Sequence, residues 1–262
     1  MNALLGGIDE TRPWWAPYRE CLRTLRRESV GSKSVAFALD RAAAAHGGIA
    51  LTAGGLRFVA PDAAPPGEAY EAFIARTASV PTRDNLHDLI NGLVWLRFPQ
   101  VKRRLNELQA VQIATLGVGE RRGAVRDALT LFDENGAWLH APAVLCEALR
   151  SRDWQALFVT HRAAWRDAYL TVFGHALLEK LCAPRPTITA HVWLLPPSAD
   201  PQLGAVAELT PERLAQRPHH PLPLLGVPGW WPANADLAFY DDAAVFRPPH
   251  LDASAGRGEI RA

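Results

Sequence analysis

The sequence predicts a mainly helical α+β fold with a small antiparallel sheet or hairpins and an irregular C-terminal wrap rich in proline and tryptophan. Several segments repeat apolar residues at helical spacing, few segments alternate apolar and polar residues as strands do, and prolines crowd the last quarter of the chain. With 262 residues, of which 48% are hydrophobic, the chain can bury one sizeable core. We therefore predict one globular domain over residues 1–250 and a disordered tail over residues 251–262.

Composition argues against several classes of protein. Lys and Arg total 28 and Asp and Glu total 27, so no net charge points to nucleic acid or an anionic membrane as partner. No stretch has the ~20 uninterrupted apolar residues that a membrane span needs, and the N-terminus lacks the pattern of a signal peptide. The cysteines Cys21, Cys146 and Cys182 are too far apart to suggest a disulfide framework or a zinc ribbon. We expect a cytoplasmic protein with no membrane partner.

The first third of the chain predicts short helices and one hairpin. Helices are expected over residues 13–28, 35–45 and 68–76. Gly54 and Gly55 are expected to form the turn of a hairpin that joins residues 49–52 to residues 56–59.

Residues 81–98 form the most informative predicted helix, with Thr82 or Asp84 as its cap. One arc is apolar and holds Leu86, Leu89, Ile90, Leu93 and Leu96. The opposite arc carries Asp84, His87, Asp88 and Asn91, with Trp95 in its middle. A solvated face seldom carries an interior tryptophan, so we expect another part of the chain, a partner or a ligand to cover this side. Because side chains three residues apart can touch on a helix, we expect Asp84 to orient the imidazole of His87.

The middle of the chain predicts three more helices, over residues 100–115, 124–132 and 142–150. We interpret the basic triplet at residues 102–104 as facing solvent rather than binding an anion. The turn signal Asn135-Gly136 could also close a hairpin. Asp133 and Glu134 can supply a catalytic or metal-binding carboxylate, although both residue types also form turns for local reasons.

The longest predicted helical region runs from Asp153 to Cys182. In it Thr171, His175 and Glu179 form a polar stripe at spacings of four residues, surrounded by apolar positions. A histidine and a glutamate in such a buried helix need partners, because burial of a lone charge is costly.

Residues 187–195 are the best predicted strand, and alternation places His191 on its more polar face. His219 and His220, which lie between prolines, are expected in an exposed loop. Residues 221–249 are expected to form an ordered irregular segment packed over the domain.

The sequence contains no GxSxG, HExxH, GxxxxGK[ST] or GxGxxG motif, which argues against the serine-hydrolase, zincin, P-loop and Rossmann classes. Dispersed histidines and acids remain. His175 and Glu179 can bind one divalent metal from a helix, with His191 as a third ligand. Alternatively, His87 oriented by Asp84 is the base of a metal-free site. A purely structural network around His175 and Glu179 explains the same pattern.

Several unusual blocks occur in order along the chain. They are residues 82–88 with Trp95 and Phe98-Pro99, residues 131–137, residues 173–177, and residues 226–234 with 239–242. With these blocks, which span most of residues 75–248, the sequence resembles the bacterial family of unknown function numbered 3025. The resemblance implies a proteobacterial origin and an intracellular protein. It implies no established activity and assigns no catalytic residue.

The first functional hypothesis is a small hydrolytic enzyme that acts on an unidentified small molecule. We expect helices 81–98 and 160–182, strand 187–195 and segment 226–242 to meet around one pocket. The candidate catalytic residues are His87, Asp84, Asn91, Asp133, Glu134, His175 and Glu179. The candidate substrate-binding residues are Arg83, Trp95, Trp230, Asn234 and Tyr240.

The alternative is a non-catalytic binding or assembly protein, in which the tryptophan-rich C-terminal segment contacts a protein partner and the histidines are core polar groups. A third, weaker hypothesis is nucleic-acid binding through Arg23, Arg26 and Arg27 or through residues 102–104. A divalent metal is the one cofactor considered.

Overall fold

Helices form most of the regular structure in the computed structural model, which describes residues 1–32, 34–117, 123–196 and 200–247. They are α1 (Asn2–Gly6), α2 (Arg19–Glu28), α3 (Val35–Ala45), α4 (Tyr70–Thr77), α5 (Leu86–Arg97), α6 (Pro99–Leu116), α7 (Ala124–Asn135), α8 (Ala143–Ser151), α9 (His175–Lys180), α10 (Pro201–Glu208) and α11 (Pro211–Ala215). The predicted mainly helical α+β class is confirmed. The predicted tail, residues 251–262, lies outside the described residues.

The strands form three small sheets. β1 (Ala50–Leu51) pairs antiparallel with β2 (Gly54–Gly55), and β3 (Arg57–Val59) pairs parallel with β4 (Ser79–Pro81). The largest sheet has the order β6 (Tyr169–Val172), β5 (Gly136–His140), β7 (Thr189–Leu194) and β8 (His219–Pro223). β5 and β7 are parallel and the outer strands are antiparallel to them. The predicted hairpin is therefore only partly correct, because β3 pairs with β4 instead of with β1.

One connected cluster of buried side chains extends from Leu5 to Phe246. At its centre the ring of Phe132 stacks on Phe173 at 5.1 Å and on Trp193 at 4.6 Å between ring centroids. Buried aromatic pairs of this kind contribute strongly to core packing. Because Phe132 precedes Asp133 and Phe173 lies two residues before His175, this stack fixes the backbone of the candidate site.

Helix α5 begins at Leu86, five residues later than predicted. Its N-cap is Asn85, whose side-chain oxygen accepts a hydrogen bond from the backbone N–H of Asp88 at 2.8 Å. Neither predicted residue caps the helix. The hydroxyl of Thr82 donates to the backbone carbonyl of Val80, and the carboxylate of Asp84 accepts from the backbone N–H of Val35. The predicted apolar arc lies within Leu86–Arg97, and so does the polar arc except for Asp84, which precedes the helix.

The predicted helix over residues 153–182 is wrong in its second half. A π turn at Ala156–Thr160 and a 3₁₀ turn at Arg162–Asp167 lead into β6, and only His175–Lys180 is helical after it. Tyr169-Leu-Thr-Val is rich in residues that favour strands, and its pairing with β5 outweighs the helical periodicity. Thr171 therefore lies on a strand, whereas His175 and Glu179 share α9.

Two further predictions fail around the main sheet. Helix α7 passes directly into β5 at Gly136, so the Asn135-Gly136 signal closes no hairpin. His219 and His220 begin β8, paired with Trp193 and Val192 of β7, rather than an exposed loop. A proline-flanked strand of this kind is tolerated at a sheet edge, where no further strand needs its N–H groups.

Candidate active site

The polar arc of α5 faces a pocket of about 290 Å³ that is also lined by residues of α4, α6, α7 and α9. Five of the predicted catalytic residues lie in its lining, namely His87, Asn91, Asp133, Glu134 and His175, together with the predicted substrate-binding Arg83. Pockets that hold small ligands begin near this size.

Both nitrogens of the His87 imidazole are held by side chains of α9. Nδ1 lies 2.7 Å from Glu179 Oε2, and Nε2 lies 3.1 Å from Nε2 of His175. Because His175 and Glu179 are one helical turn apart, their side chains leave α9 on the same face and reach the same ring. The predicted pair at i and i+4 thus shares a partner, which is an imidazole from α5.

Glu179, His87, His175 and the Asp133 carbonyl form one series of hydrogen bonds, and the acceptors at its two ends fix where the imidazole protons lie. A backbone carbonyl only accepts, so His175, whose Nδ1 lies 2.8 Å from the Asp133 carbonyl, carries its proton on Nδ1 and presents a lone pair at Nε2. A carboxylate also only accepts, so His87 donates from Nδ1 to Glu179 and from Nε2 to His175. The two imidazoles therefore hold one proton more than two neutral rings.

The close approach of α7 and α9 depends on Gly174. A Cβ atom at this position would overlap the backbone of Glu134 and Asn135. Only glycine leaves room for the backbone segments at the end of α7 and the start of α9 to lie this close together. The approach places the Asp133 carbonyl against His175 Nδ1 and so sets the tautomer of that ring.

A buried lysine supports the Asp133 side of the pocket. Lys102 of α6 is 4% exposed and donates to Asp133 Oδ1 at 2.6 Å and to Asn91 Oδ1 at 2.9 Å. Its Nζ also lies 5.4 Å from the ring centroid of Trp95, within range of a cation–π contact. Lys102 therefore ties α5, α6 and α7 together below the histidines.

Through Asn91, this lysine also determines whether the Tyr70 hydroxyl donates or accepts. Lysine only donates, so the Asn91 oxygen faces Lys102 and the Asn91 amide nitrogen donates to the Tyr70 hydroxyl at 3.2 Å. Among the described residues no acceptor takes the Tyr70 O–H. Burial of the hydroxyl, helped by the charges of Asp88 and Asp133, raises the pKa of Tyr70 well above its usual value. Tyr70 thus keeps a proton that it can donate within the pocket.

At the edge of the pocket Arg83 and Asp88 form a bidentate pair. The guanidinium contacts both carboxylate oxygens at 2.9 and 3.1 Å, and the Arg83 backbone N–H donates to the same carboxylate at 2.6 Å. The Arg83 side chain is 63% exposed, so this pair contributes little stability and mainly holds the loop before α5.

Burial and neighbouring charges together set the pKa values of His175 and Asp133, which lie below the pocket. Burial lowers the pKa of His175 from 6.5 to about 4, although Asp133 partly opposes this shift. Burial alone would raise the pKa of Asp133, but the charge of Lys102, aided by His175, brings the pKa below its usual value. His175 is therefore an acceptor at Nε2 at neutral pH, and Asp133 is a carboxylate.

Two residues predicted in the site have other contacts. Asp84 does not reach His87, because its carboxylate accepts from the backbone N–H of Val35 at the start of α3 at 2.7 Å. Glu179 takes the orienting position that was predicted for Asp84. Trp95 is 1% exposed and lies below Lys102, in the wall of a small cavity of about 30 Å³ rather than in the main pocket.

The predicted convergence of residues 226–242 and of strand 187–195 on this pocket is wrong. Asn234 is 1% exposed and donates to the carbonyls of Leu225 and Val227, which holds the segment in its own fold. Tyr240 accepts a hydrogen bond from Arg162, and Trp230 packs on Trp14 in a separate depression.

The proposed metal ligands are not assembled either. His191 lines a different depression, beside β8, while Glu179 and His175 both contact His87. In residues 1–32, 34–117, 123–196 and 200–247, no group of three or more His, Cys, Asp or Glu side chains has the geometry to hold a metal ion. A proline-flanked strand brings His219 rather than His175 next to His191.

Sequence reasoning missed Lys102 and Tyr70. The prediction that residues 102–104 face solvent is wrong for Lys102, whereas Arg103 pairs with Glu107 at the surface. Lys102, Asn106 and Gln109 recur at i, i+4 and i+7 beside the apolar Leu105, which is a polar stripe within a buried face. That stripe was the signal that could have placed Lys102 inside.

A comparison with protein-family models identifies the family of this chain. The family model described as "Protein of unknown function (DUF3025)" matches residues 56–250, well over half of the sequence. The chain belongs to this family, as the sequence blocks predicted. Neither the curated proteins nor the solved structures contain a match. In the part of the chain that the structure describes, no helix combines the length and apolar character required to cross a membrane.

Proposed function

We propose that this protein is a small hydrolytic enzyme in which the His87–His175 pair moves a proton between water and the leaving group. The observation that supports this most is the 3.1 Å contact between the two Nε2 atoms, with each outer nitrogen held by an acceptor. A structural histidine pair does not need this arrangement, because one neutral ring can donate to another without a carboxylate behind it.

Loss of the shared proton would leave two Nε2 lone pairs directed at the same point. A water molecule bound there gives one proton to the pair, and the hydroxide attacks a carbonyl or phosphoryl centre of the substrate. The pair then returns that proton to the leaving group, so the enzyme gains and loses none. His87, whose side chain is 35% exposed, is the ring that contacts water, and the buried His175 completes the base.

Glu179 and Tyr70 assist in different ways. Glu179 accepts a hydrogen bond from His87 Nδ1 and so fixes the orientation of the ring, which makes Glu179 a positioning residue. Tyr70 offers its free O–H to the negative charge that develops on the substrate oxygen. The carboxylates of Asp133 and Asp88 each have a basic partner, so neither is the base.

Water is the nucleophile that the lining favours. The described residues that line the pocket include no serine or cysteine, and Thr130 has no hydrogen-bonded base. Burial raises the pKa of the thiols of Cys21 and Cys182 to about 11, and neither lies in the pocket.

The test is hydrolysis of a panel of chromogenic esters, amides and phosphoesters by wild type, His87→Gln, His175→Gln and the control His46→Gln. His46 is exposed and is not part of the pocket lining. We expect turnover of at least one class, a loss of at least about 100-fold in both site variants, and no change in the control. Equal rates in all four proteins would contradict the proposal. Elemental analysis of the same samples adds a second test. Stoichiometric metal that is lost in both site variants would show that a metal ion, rather than a proton, lies between His87 and His175, and would contradict the proposed proton transfer.

A further inference from the structure

The charged groups around the pocket cancel in pairs, except for two glutamates. Arg83 is paired with Asp88, and Lys102 is paired with Asp133. Glu71 and Glu134 also line the pocket, and neither side chain has a hydrogen-bond or ion-pair partner among the described residues. The pocket therefore carries an excess of negative charge.

A second feature of the lining indicates a ligand rather than solvent. Gln109 of α6 is 6% exposed and lines both the main pocket and the small cavity beneath it. No described residue hydrogen-bonds its side-chain amide. The amide atoms are not fully enclosed and meet the pocket, where a bound molecule can supply the hydrogen bonds that no described residue offers.

Glu71 and Gln109 belong to the same side of the site. Both line the main pocket and the cavity of about 30 Å³ below it, together with Tyr70. Glu71 also follows Tyr70 directly in α4. The carboxylate and the amide thus adjoin the residue proposed to bind the reacting oxygen.

We propose that this side of the pocket binds a cationic nitrogen of the substrate, an alkylammonium group held by Glu71 and Gln109 with Glu134 at the rim. The proposal rests on the proposed function for the identity of the reacting end. An ammonium group supplies donors to the carboxylate and to the amide oxygen, and charge-assisted bonds of this kind are the strong ones.

The cations of the site do not favour an anionic substrate in this place. Lys102 is buried and already donates to Asp133 and Asn91. Arg83 uses its guanidinium on both oxygens of Asp88. An incoming anion would have to break one of these pairs and would also meet Glu71.

The experiment measures binding by isothermal titration of putrescine and of succinate, which have the same four-carbon chain and opposite charge. The proteins are wild type, Glu71→Gln, Gln109→Leu and the control Glu212→Gln, an exposed glutamate of α11. We expect putrescine to bind wild type with preference over succinate. We also expect Glu71→Gln to weaken putrescine at least about tenfold, Gln109→Leu about fivefold and the control less than about twofold.

Preference for succinate, no saturable binding of putrescine, or equal affinities of wild type and Glu71→Gln would each overturn the proposal. Thermal unfolding of each variant shows whether it is folded. Binding of putrescine without hydrolysis of any panel substrate would contradict the proposed function and leave the cation site standing. Hydrolysis of neutral panel substrates by wild type without saturable binding of putrescine would overturn the cation site and leave the proposed function standing.

Discussion

His87 and His175 meet at the pocket between α5 and α9, whereas His191 and His219 lie side by side on β7 and β8. The ring centroids of the first pair are 4.6 Å apart and those of the second are 6.3 Å apart. In the first pair the outer nitrogens reach Glu179 and the Asp133 carbonyl. In the second pair His219 Nδ1 accepts from the indole N–H of Trp193 at 2.7 Å.

The difference shows that burial alone does not make a histidine functional. Burial lowers the pKa of His219 to about 4, the same value to which it lowers the pKa of His175. A donor faces His219, however, while acceptors face the outer nitrogens of the first pair. His219 is therefore a neutral acceptor in the core, and the pair at the pocket is the one that can hold an additional proton.

Removal of one ring from each pair should give the largest difference in activity between the two histidine pairs. We expect His87→Gln to reduce kcat/KM at least about 100-fold, because the base and its proton are both lost. We expect His219→Gln to change kcat/KM less than about threefold, since glutamine can still accept from Trp193. Steady-state kinetics on the best panel substrate measures both, and similar losses in the two variants would contradict the distinction.

A buried ion pair, Lys102–Asp133, lies below the first histidine pair, and the described residues place none beside the second, so its loss should be specific. We expect Lys102→Met to lower the free energy of unfolding by about 3 kcal/mol, because Asp133 would keep a poorly solvated charge without a partner. The adjacent Arg103→Met should change it by less than ~0.5 kcal/mol, since that pair is exposed. Urea denaturation measures both values. The double variant Lys102→Met/Asp133→Asn should regain more than half of the loss, and no recovery would rule out the buried charge as its cause.

Replacement of the Glu179 carboxylate by an amide tests whether Glu179 orients His87 or only packs against it. We expect Glu179→Gln to lower kcat about 100-fold with little change in KM, because a glutamine amide can present a donor instead of an acceptor to His87 Nδ1. Steady-state kinetics measures both constants, and a raised KM with an unchanged kcat would contradict the orienting role.

The second pair should be visible in stability but not in activity. The pKa of His219 is about 4 in the folded protein and ordinarily 6.5, so the unfolded chain binds its proton first as pH falls. Stability should therefore decrease from about pH 6.5 towards pH 4, and His219→Gln should remove about 2 kcal/mol of that decrease. Urea denaturation at both ends of the window measures the effect. An unchanged pH dependence would mean that His219 is not buried as described.

The sequence could predict those parts of the site that local periodicity determines. The polar arc of α5 and the spacing of His175 and Glu179 were visible because each depends on residues one helical turn apart. The strand β7 was visible by its alternation, although its histidine faces another region.

The rest depends on contacts between residues distant in sequence. Tyr169–Val172 becomes a strand because β5 offers its edge, and Lys102 is buried because Asp133 and Asn91 offer acceptors there. Asp84 was assigned to His87 by proximity on a helix, but that helix begins after it. The partner of Asp84 leaves no local signal in the sequence, and the strand-favouring residues of Tyr169–Val172 do not show which strand they pair with.

Nitrogen-15 NMR of the imidazole rings measures where the protons lie on the two histidine pairs. In spectra at about pH 6 we expect His175 to be protonated at Nδ1, His87 at both nitrogens, and His219 Nδ1 to be unprotonated. Variants at each position assign the signals. A His175 protonated at Nε2, or a neutral His87 at this pH, would contradict the shared proton and with it the proposed proton transfer.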